Sequence, residues 1–280
     1  RRSAHGAARS PSGGGAVNSR SGVALGSVLL GGPLLVALIG PLVAGSTRSS
    51  YPPLLPPSAQ HPLGTDVLGR DVLALVLTGG TSVVVLAVAA LVLSYSVGVL
   101  LALAVVGQRR RWVDEGLLRL LDVVLALPGL LVLLVLAAAD RNGPVPLVLA
   151  VAVLQVPPVV RLTRSAALEP ACRTVVEAML QQGEPWWRVH IVHTGRSVLG
   201  PVLVDAGHRL NVVLGLLASA NFLGIGLAPD TSDWAVHIER NREALFLQPA
   251  AVLVPCALLA SLCVGINLVV DSALAGREVK

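Results

Sequence analysis

Lysine is almost missing from this 280-residue chain: Lys280, the final residue, is its only one. A phosphate-binding P-loop needs a lysine between its glycine loop and the following helix, so these residues carry no Walker A site. Charge of either sign is scarce too. Asp, Glu, Lys and Arg make up 13% of the chain, against about 25% in soluble domains. Aromatic residues are 3%. No basic stripe is interleaved with them, so the net charge of +5 does not point to nucleic acid. The three cysteines, Cys172, Cys256 and Cys263, lack metal-ligand spacing, and the latter two sit two turns apart in an apolar run as small hydrophobes. No Gly-x-Ser-x-Gly elbow occurs, and no other catalytic constellation stands out.

What fills the chain instead is apolar. Hydrophobic residues reach 54% and the mean hydropathy is +0.76. This predicts an all-α, polytopic membrane protein with about six transmembrane helices. Residues 1–22 are Arg/Ser/Gly-rich and read as a disordered tail. The sequence opens without methionine, so its start is expected to lie downstream of the native N-terminus. Residues 23–45 read as an anchor helix, loosened by Pro33 and Pro41, and 46–82 as a segment outside the bilayer. A five-helix core over 83–273 follows, with spans at about Val83–Val106, Leu117–Ala138, Val145–Val160, Val202–Phe222 and Ala250–Val270. Residues 274–280 form a second tail. Basic residues concentrate on one side: Arg1, Arg2, Arg9, Arg20, Arg109–Arg111, Arg119, Arg161, Arg164, Arg173, Arg188, Arg196, Arg277 and Lys280. The other side holds Arg48, Arg70, Arg141, Arg240 and Arg242. That asymmetry predicts both termini in the cytoplasm.

Two polar stretches interrupt the apolar pattern. In the loop at about 164–200, Cys172, Val175, Val176, Met179 and Leu180 repeat at helical spacing, with Arg173, Thr174, Glu177, Gln181 and Gln182 on the other face. Gly183 ends this helix, and Pro185 opens a second short one over Trp186–His193, before a boundary at Pro201. Such an element is a connector or a docking surface. The other stretch is His61-Pro-Leu-Gly-Thr-Asp66 with Leu68-Gly-Arg-Asp71. Asp66 or Asp71 would cap a helix, and Arg70 would pair with a carboxylate. A metal site of His61, Asp66 and Asp71 is the competing reading, short of further ligands.

These stretches carry a resemblance. Glu177-Ala178-Met179 with Gly183 in register is similar to the Glu-Ala-Ala…Gly loop of membrane subunits of ABC importers. Trp187-Arg188 matches a pair common in the dipeptide/oligopeptide branch. Met179 replaces the second alanine, and Thr194-Gly195-Arg196 stands where Ile-Leu-Pro is usual. The His61–Asp71 string, with Gly64, Gly69 and Arg70, resembles the hallmark before the second helix in that branch. Asn221-Phe222-Leu-Gly224-Ile-Gly226 with Trp234 is similar to its Ser-Phe-Leu-Gly-Leu-Gly…Trp element. The outer loop after it is acidic (Asp230, Asp233, Glu239, Glu243) and is expected to hold a short re-entrant or interfacial helix.

The resemblance implies the permease fold of type I importers and a bacterial inner-membrane location. It implies ATPase coupling through Glu177, Ala178, Gln181, Gly183, Trp187 and Arg188. The partners it implies are a second homologous permease, two cytoplasmic ATPase subunits that bind ATP and magnesium, and an extracytoplasmic binding protein. Membrane lipid would surround the spans, and this chain would bind no cofactor. Charges inside the spans suggest a translocation path: Asp122, then Asp205, Arg209 and Asn211, with His208 nearby. Contacts between subunits near the inner surface explain them equally well. Asn267 and Asp271 read as structural, and His190 with His193 as a solvated face. A self-sufficient secondary transporter or channel is the alternative, but it calls for internal repeats and broken midplane helices that the sequence does not display.

Overall fold

A computed structural model describes residues 19–45, 47–48, 51–106, 111–139 and 143–278. The expected tail before residue 19, Gln108–Arg110 of the basic loop, Arg141 and the last two residues fall outside that description. Among the described residues, regular structure is helical apart from one isolated bridge between Thr65 and Asp71. The helices are α1 (Ser19–Val43), α2 (Val72–Val106), α3 (Arg111–Ala126), α4 (Gly129–Ala138), α5 (Pro144–Ala167), α6 (Pro170–Gln181), α7 (Thr194–Phe222), α8 (Trp234–Asn241) and α9 (Ala250–Glu278).

Both outer boundaries differ from the sequence reading: α1 begins at Ser19, inside the expected disordered tail, and α9 runs past residue 274 to Glu278, because helical backbone bonding continues beyond the apolar run. Four inner boundaries differ too. The second span starts at Val72 instead of Val83, because Asp71 Oδ1 accepts the Ala74 N–H at 3.0 Å and caps the helix there. The run Thr78-Gly-Gly-Thr81, which reads as loop, is a packing site. A Cβ on Gly80 would stand 2.5 Å from the Trp234 ring and 2.9 Å from Ala37. The third span is broken into α3 and α4, bent by 75°. Pro128 lacks the N–H that would continue the helix and disfavours helical backbone at Leu127 before it. α5 runs on to Ala167 through Pro157 and Pro158, where packed neighbours support the weakened turn. The fifth span begins at Thr194, with Pro201 inside it, and the expected short helix is a π-helical turn, Arg188–His193, leading straight into it.

The bent pair still crosses the bundle. Ala102 near the end of α2, Leu121 in α3 and Val160 late in α5 form one buried cluster. Leu133 of α4 instead joins Leu147, Val151, Val213 and Leu217 in the main core. Gly143, just before α5, donates its N–H to the Gly226 carbonyl beyond the far end of α7. The chain therefore passes from one face to the other between α2 and α5, which makes six crossings. α1 lies along α9 at backbone contact: a Cβ on Gly265 would be 2.4 Å from the Leu30 nitrogen, and Ser261 Oγ donates to the Leu29 carbonyl at 2.8 Å. Small residues permit this approach where hydrophobic exclusion from water cannot drive helices together.

Candidate functional site

One face of the bundle carries an elbow between α5 and α7. Pro170 occupies the first turn of α6, where its missing N–H costs nothing. Val176 is the helix's buried side chain. Val175 and Leu180, placed by periodicity on an inward face, are exposed. Arg173 Nε donates to Glu177 Oε1 at 3.0 Å, with both side chains in solvent. Ala178 and Gln181 are exposed as well. Gly183 ends α6 with φ of 81°; its N–H reaches the Leu180 carbonyl at 3.1 Å, and Glu184 N–H reaches Met179 at 3.2 Å. That pairing is the Schellman closure, which calls for the left-handed backbone glycine adopts without strain. Arg188 pairs with Glu184 at 3.1 Å, and Trp187 stands exposed beside it.

The π-helical turn corrects the expected solvated histidine face. His190 is buried, with its ring 5.3 Å from that of Trp186, while His193 is half-buried. The wider turn directs Val189 and His190 inward.

The opposite face carries a cap made of two segments far apart in sequence. Residues 51–71 fold on themselves around Asp66. Its Oδ1 accepts the N–H groups of Leu68 and Arg70 at 2.9 and 2.8 Å, and its Oδ2 accepts Arg70 Nε and Nη2 at 2.8 and 2.6 Å. Gly64 and Gly69 have φ of 74° and 70° and abut Gln248 and the Tyr51 carbonyl. His61 Nδ1 lies 2.7 Å from Asp71 Oδ2. The two carboxylates thus serve different partners, and among the described residues no group of three metal-ligating side chains forms.

The second segment closes over the first. Asn221 near the end of α7 donates to Asp233 Oδ1 at 3.3 Å, and that oxygen also accepts Ala235 N–H at 2.9 Å to cap α8. Trp234 is fully buried and donates from Nε1 to the Val76 carbonyl at 2.8 Å. Asn241 Oδ1 accepts Val67 N–H at 3.2 Å, while Gln248 Nε2 donates to the Leu55 and Leu63 carbonyls at 3.2 and 2.8 Å. Gly224 turns with φ of 71°, Gly226 abuts Asn221 Oδ1, and Phe222 is exposed. Burial pushes the Asp233 carboxyl up, against the bonds from Ala235 and its neighbours. Burial, then Arg70 and Arg240, push the His237 imidazole down to about 3. Sequence reading missed Asn241 and Gln248, whose partners Val67, Leu55 and Leu63 lie far away along the chain, and His237, which meets Ser232 nearby and feels Arg70 from the other segment.

The charges in the spans do not form one group. Asp122 pairs with Arg161 of α5, half-exposed near the elbow end. Asn211 turns toward α9, bonding Asn267 and, at 3.2 Å, the Cys263 carbonyl. Asp205 and Arg209 do pair, with Nε to Oδ2 at 2.5 Å. Two side chains from other helices join them: Tyr95 Oη donates to Asp205 Oδ2 at 2.5 Å, and Arg209 Nη1 lies 3.5 Å from Gln155 Oε1. Because α7 starts at Thr194, Asp205 lies about 16 Å along it at 1.5 Å per residue, deeper than a start at Val202 would put it.

Residues 94–272 match the family described as binding-protein-dependent transport system inner membrane component. Curated relatives agree with it. The chain is 30% identical over 220 residues to the probable D,D-dipeptide transport system permease protein DdpC of Escherichia coli K12, covering 78% of this chain and 73% of that protein. It is 26% identical over 215 residues to the glutathione transport system permease protein GsiD of Pectobacterium atrosepticum, 77% and 71% of the two chains. It is also 26% identical over 250 residues to the dipeptide transport system permease protein DppC of Alkalihalophilus pseudofirmus, 88% and 82% of the two.

Proposed function

Because this chain belongs to the family of inner-membrane components of binding-protein-dependent transport systems, and so is a multi-pass permease subunit of an ABC importer, we propose that its elbow is where ATPase subunits take hold. The observation that carries this reading is α6 itself: a helix between spans that buries Val176 and leaves Glu177, Ala178 and Gln181 in solvent, beside an exposed Trp187 and Arg188. Two cytoplasmic ATPases would bind ATP and magnesium, since these 280 residues hold no P-loop lysine. A second, homologous permease would complete the translocation path, lipid would cover the remaining apolar faces, and an extracytoplasmic binding protein would deliver cargo onto the cap. The chain would bind no cofactor of its own. Relatives named for dipeptides and glutathione support peptides or similar small solutes as that cargo. The excess of arginine on the elbow side supports both termini in the cytoplasm.

ATP-driven closure of the ATPases would move the elbow and exchange inward- and outward-facing states, the energy arriving as differential nucleotide affinity for the two. The test is Glu177→Lys in the assembled importer. It should insert and accumulate normally while cargo-stimulated ATP hydrolysis falls away. Wild-type stimulation at matched abundance would make the elbow a mere connector.

A further inference from the structure

The Asp205–Arg209 pair is more than a helix staple. Asp205 Oδ2 takes both the Tyr95 hydroxyl and the Arg209 Nε, and Arg209 Nη1 lies 3.5 Å from Gln155 Oε1. The Asp205 and Arg209 side chains are 19% and 17% exposed, so part of this charged pair reaches the surface of the chain midway along α7. Charges at that depth in a span about 30 Å thick face protein, water or a ligand and not lipid. Together Asp205 and Arg209 carry no net charge. Tyr95 of α2 and Gln155 of α5 fix their directions.

We infer that Asp205 and Arg209, held by Tyr95 and Gln155, form a contact point for a peptide-like zwitterion in transit, the carboxylate facing its ammonium end and the guanidinium its carboxylate end. The inference rests on the peptide reading above. Each group retains hydrogen-bonding capacity after the internal pair is satisfied, since a carboxylate accepts several bonds and a guanidinium donates five. The contact is made without breaking the pair, so it is weak enough to release cargo onward.

The test is ATP-driven uptake by the whole importer with its binding protein in proteoliposomes. The probes are radiolabelled alanyl-alanine, its N-acetyl form and its C-terminal amide, each at saturation and scaled to wild type. Asp205→Asn should depress uptake of the two probes with a free ammonium about tenfold relative to the acetylated one, the effect of one lost charged hydrogen bond. Arg209→Gln should depress the two with a free carboxylate relative to the amide. Equal losses across all three probes in both variants would leave the pair a purely structural tie and overturn the inference. Should those variants fail to accumulate, Asp205→Glu and Arg209→Lys keep both charges while shifting them. Asp205→Glu should alter uptake of the free-ammonium probes and Arg209→Lys that of the free-carboxylate probes, and equal effects on all three probes overturn the inference equally. A wild-type importer that carries none of the three refutes the peptide reading itself, and this inference with it.

Discussion

Replacing Arg70 by leucine would leave Asp66 as a carboxylate without its hydrogen-bonded cation, in a site closed to solvent where Arg240 still attracts it. The Asp66 side chain is 0% exposed and that of Arg70 is 9%. Breaking such a pair from one side costs about 3–5 kcal/mol, because the remaining charge stays buried. Two features temper the loss. Asp66 Oδ1 keeps the backbone N–H groups of residues 68 and 70, and removing Arg70 relieves its repulsion of Arg240. The lower end of the range is therefore expected. Hydrogen–deuterium exchange on the reconstituted permease reads it directly, since cap opening exposes amides of residues 64–72 and 234–241. A cost of about 3 kcal/mol speeds that exchange by about a hundredfold. Adding Asp66→Asn should recover much of the protection, because the neutral amide still accepts the two backbone bonds. Arg173→Leu is the contrast: its pair with Glu177 is 68% and 59% exposed, and pairs of that kind contribute about 0–1 kcal/mol. If Arg70→Leu and Arg173→Leu exchange alike, or the double variant opens as readily as the single, the buried pair does not hold the cap.

Two further outcomes follow from single residues. Gly183→Val meets open space, so its cost is the left-handed backbone alone, about 1–2 kcal/mol. The protein should accumulate normally but lose cargo-stimulated ATPase activity and release its ATPase subunits on purification; retained coupling would refute a role for the turn. His237 is neutral in the folded cap, with its pKa held near 3 against an ordinary 6.5. Between those values the unfolded state binds more protons, so stability rises with pH across the window and falls on acidification. At pH 5 the loss is about 2 kcal/mol. His237→Gln should flatten the pH dependence of cap exchange, and an unchanged slope would place its origin elsewhere.

The number of spans and the two polar interruptions were legible because length, hydropathy and helical period act locally. Glu177 to Gly183 reads as a helix with a glycine stop, and the Schellman bonds at Gly183 and Glu184 are that stop. The segment 46–82 was only partly legible for the opposite reason: the role of Gly79 and Gly80 within it is set by Trp234 and Ala37, residues far away along the chain. Pro201 misled for a related reason: packing on both sides carries α7 through it, whereas Pro128 has Leu127 exposed beside it and bends the chain. Period assigned Val175 and Leu180 to a buried face. The bundle covers Val176 and leaves those two outward, a difference that depends on what the helix meets.

α7 relates these features to one another. It leaves the π-helical turn at Thr194, carries Asp205 and Arg209 in its middle, and brings Asn221 against Asp233 at the cap. Its 29 residues span about 43 Å as one helix through Pro201, so a displacement of the elbow would be carried toward the cap along it. Midway, Asp205 and Arg209 tie it to α2 through Tyr95 and to α5 through Gln155, and α2 is the helix whose first turn Asp71 caps. Motion of α7 relative to α2 must therefore strain the Tyr95 bond inside the membrane and the Asn221–Asp233 bond at its end. The Trp234–Val76 bond lies on the same route, because it joins α8 to α2. A rod held at three depths resists bending but permits tilting as a body. Tilting of that kind would exchange access between two faces while leaving every span intact.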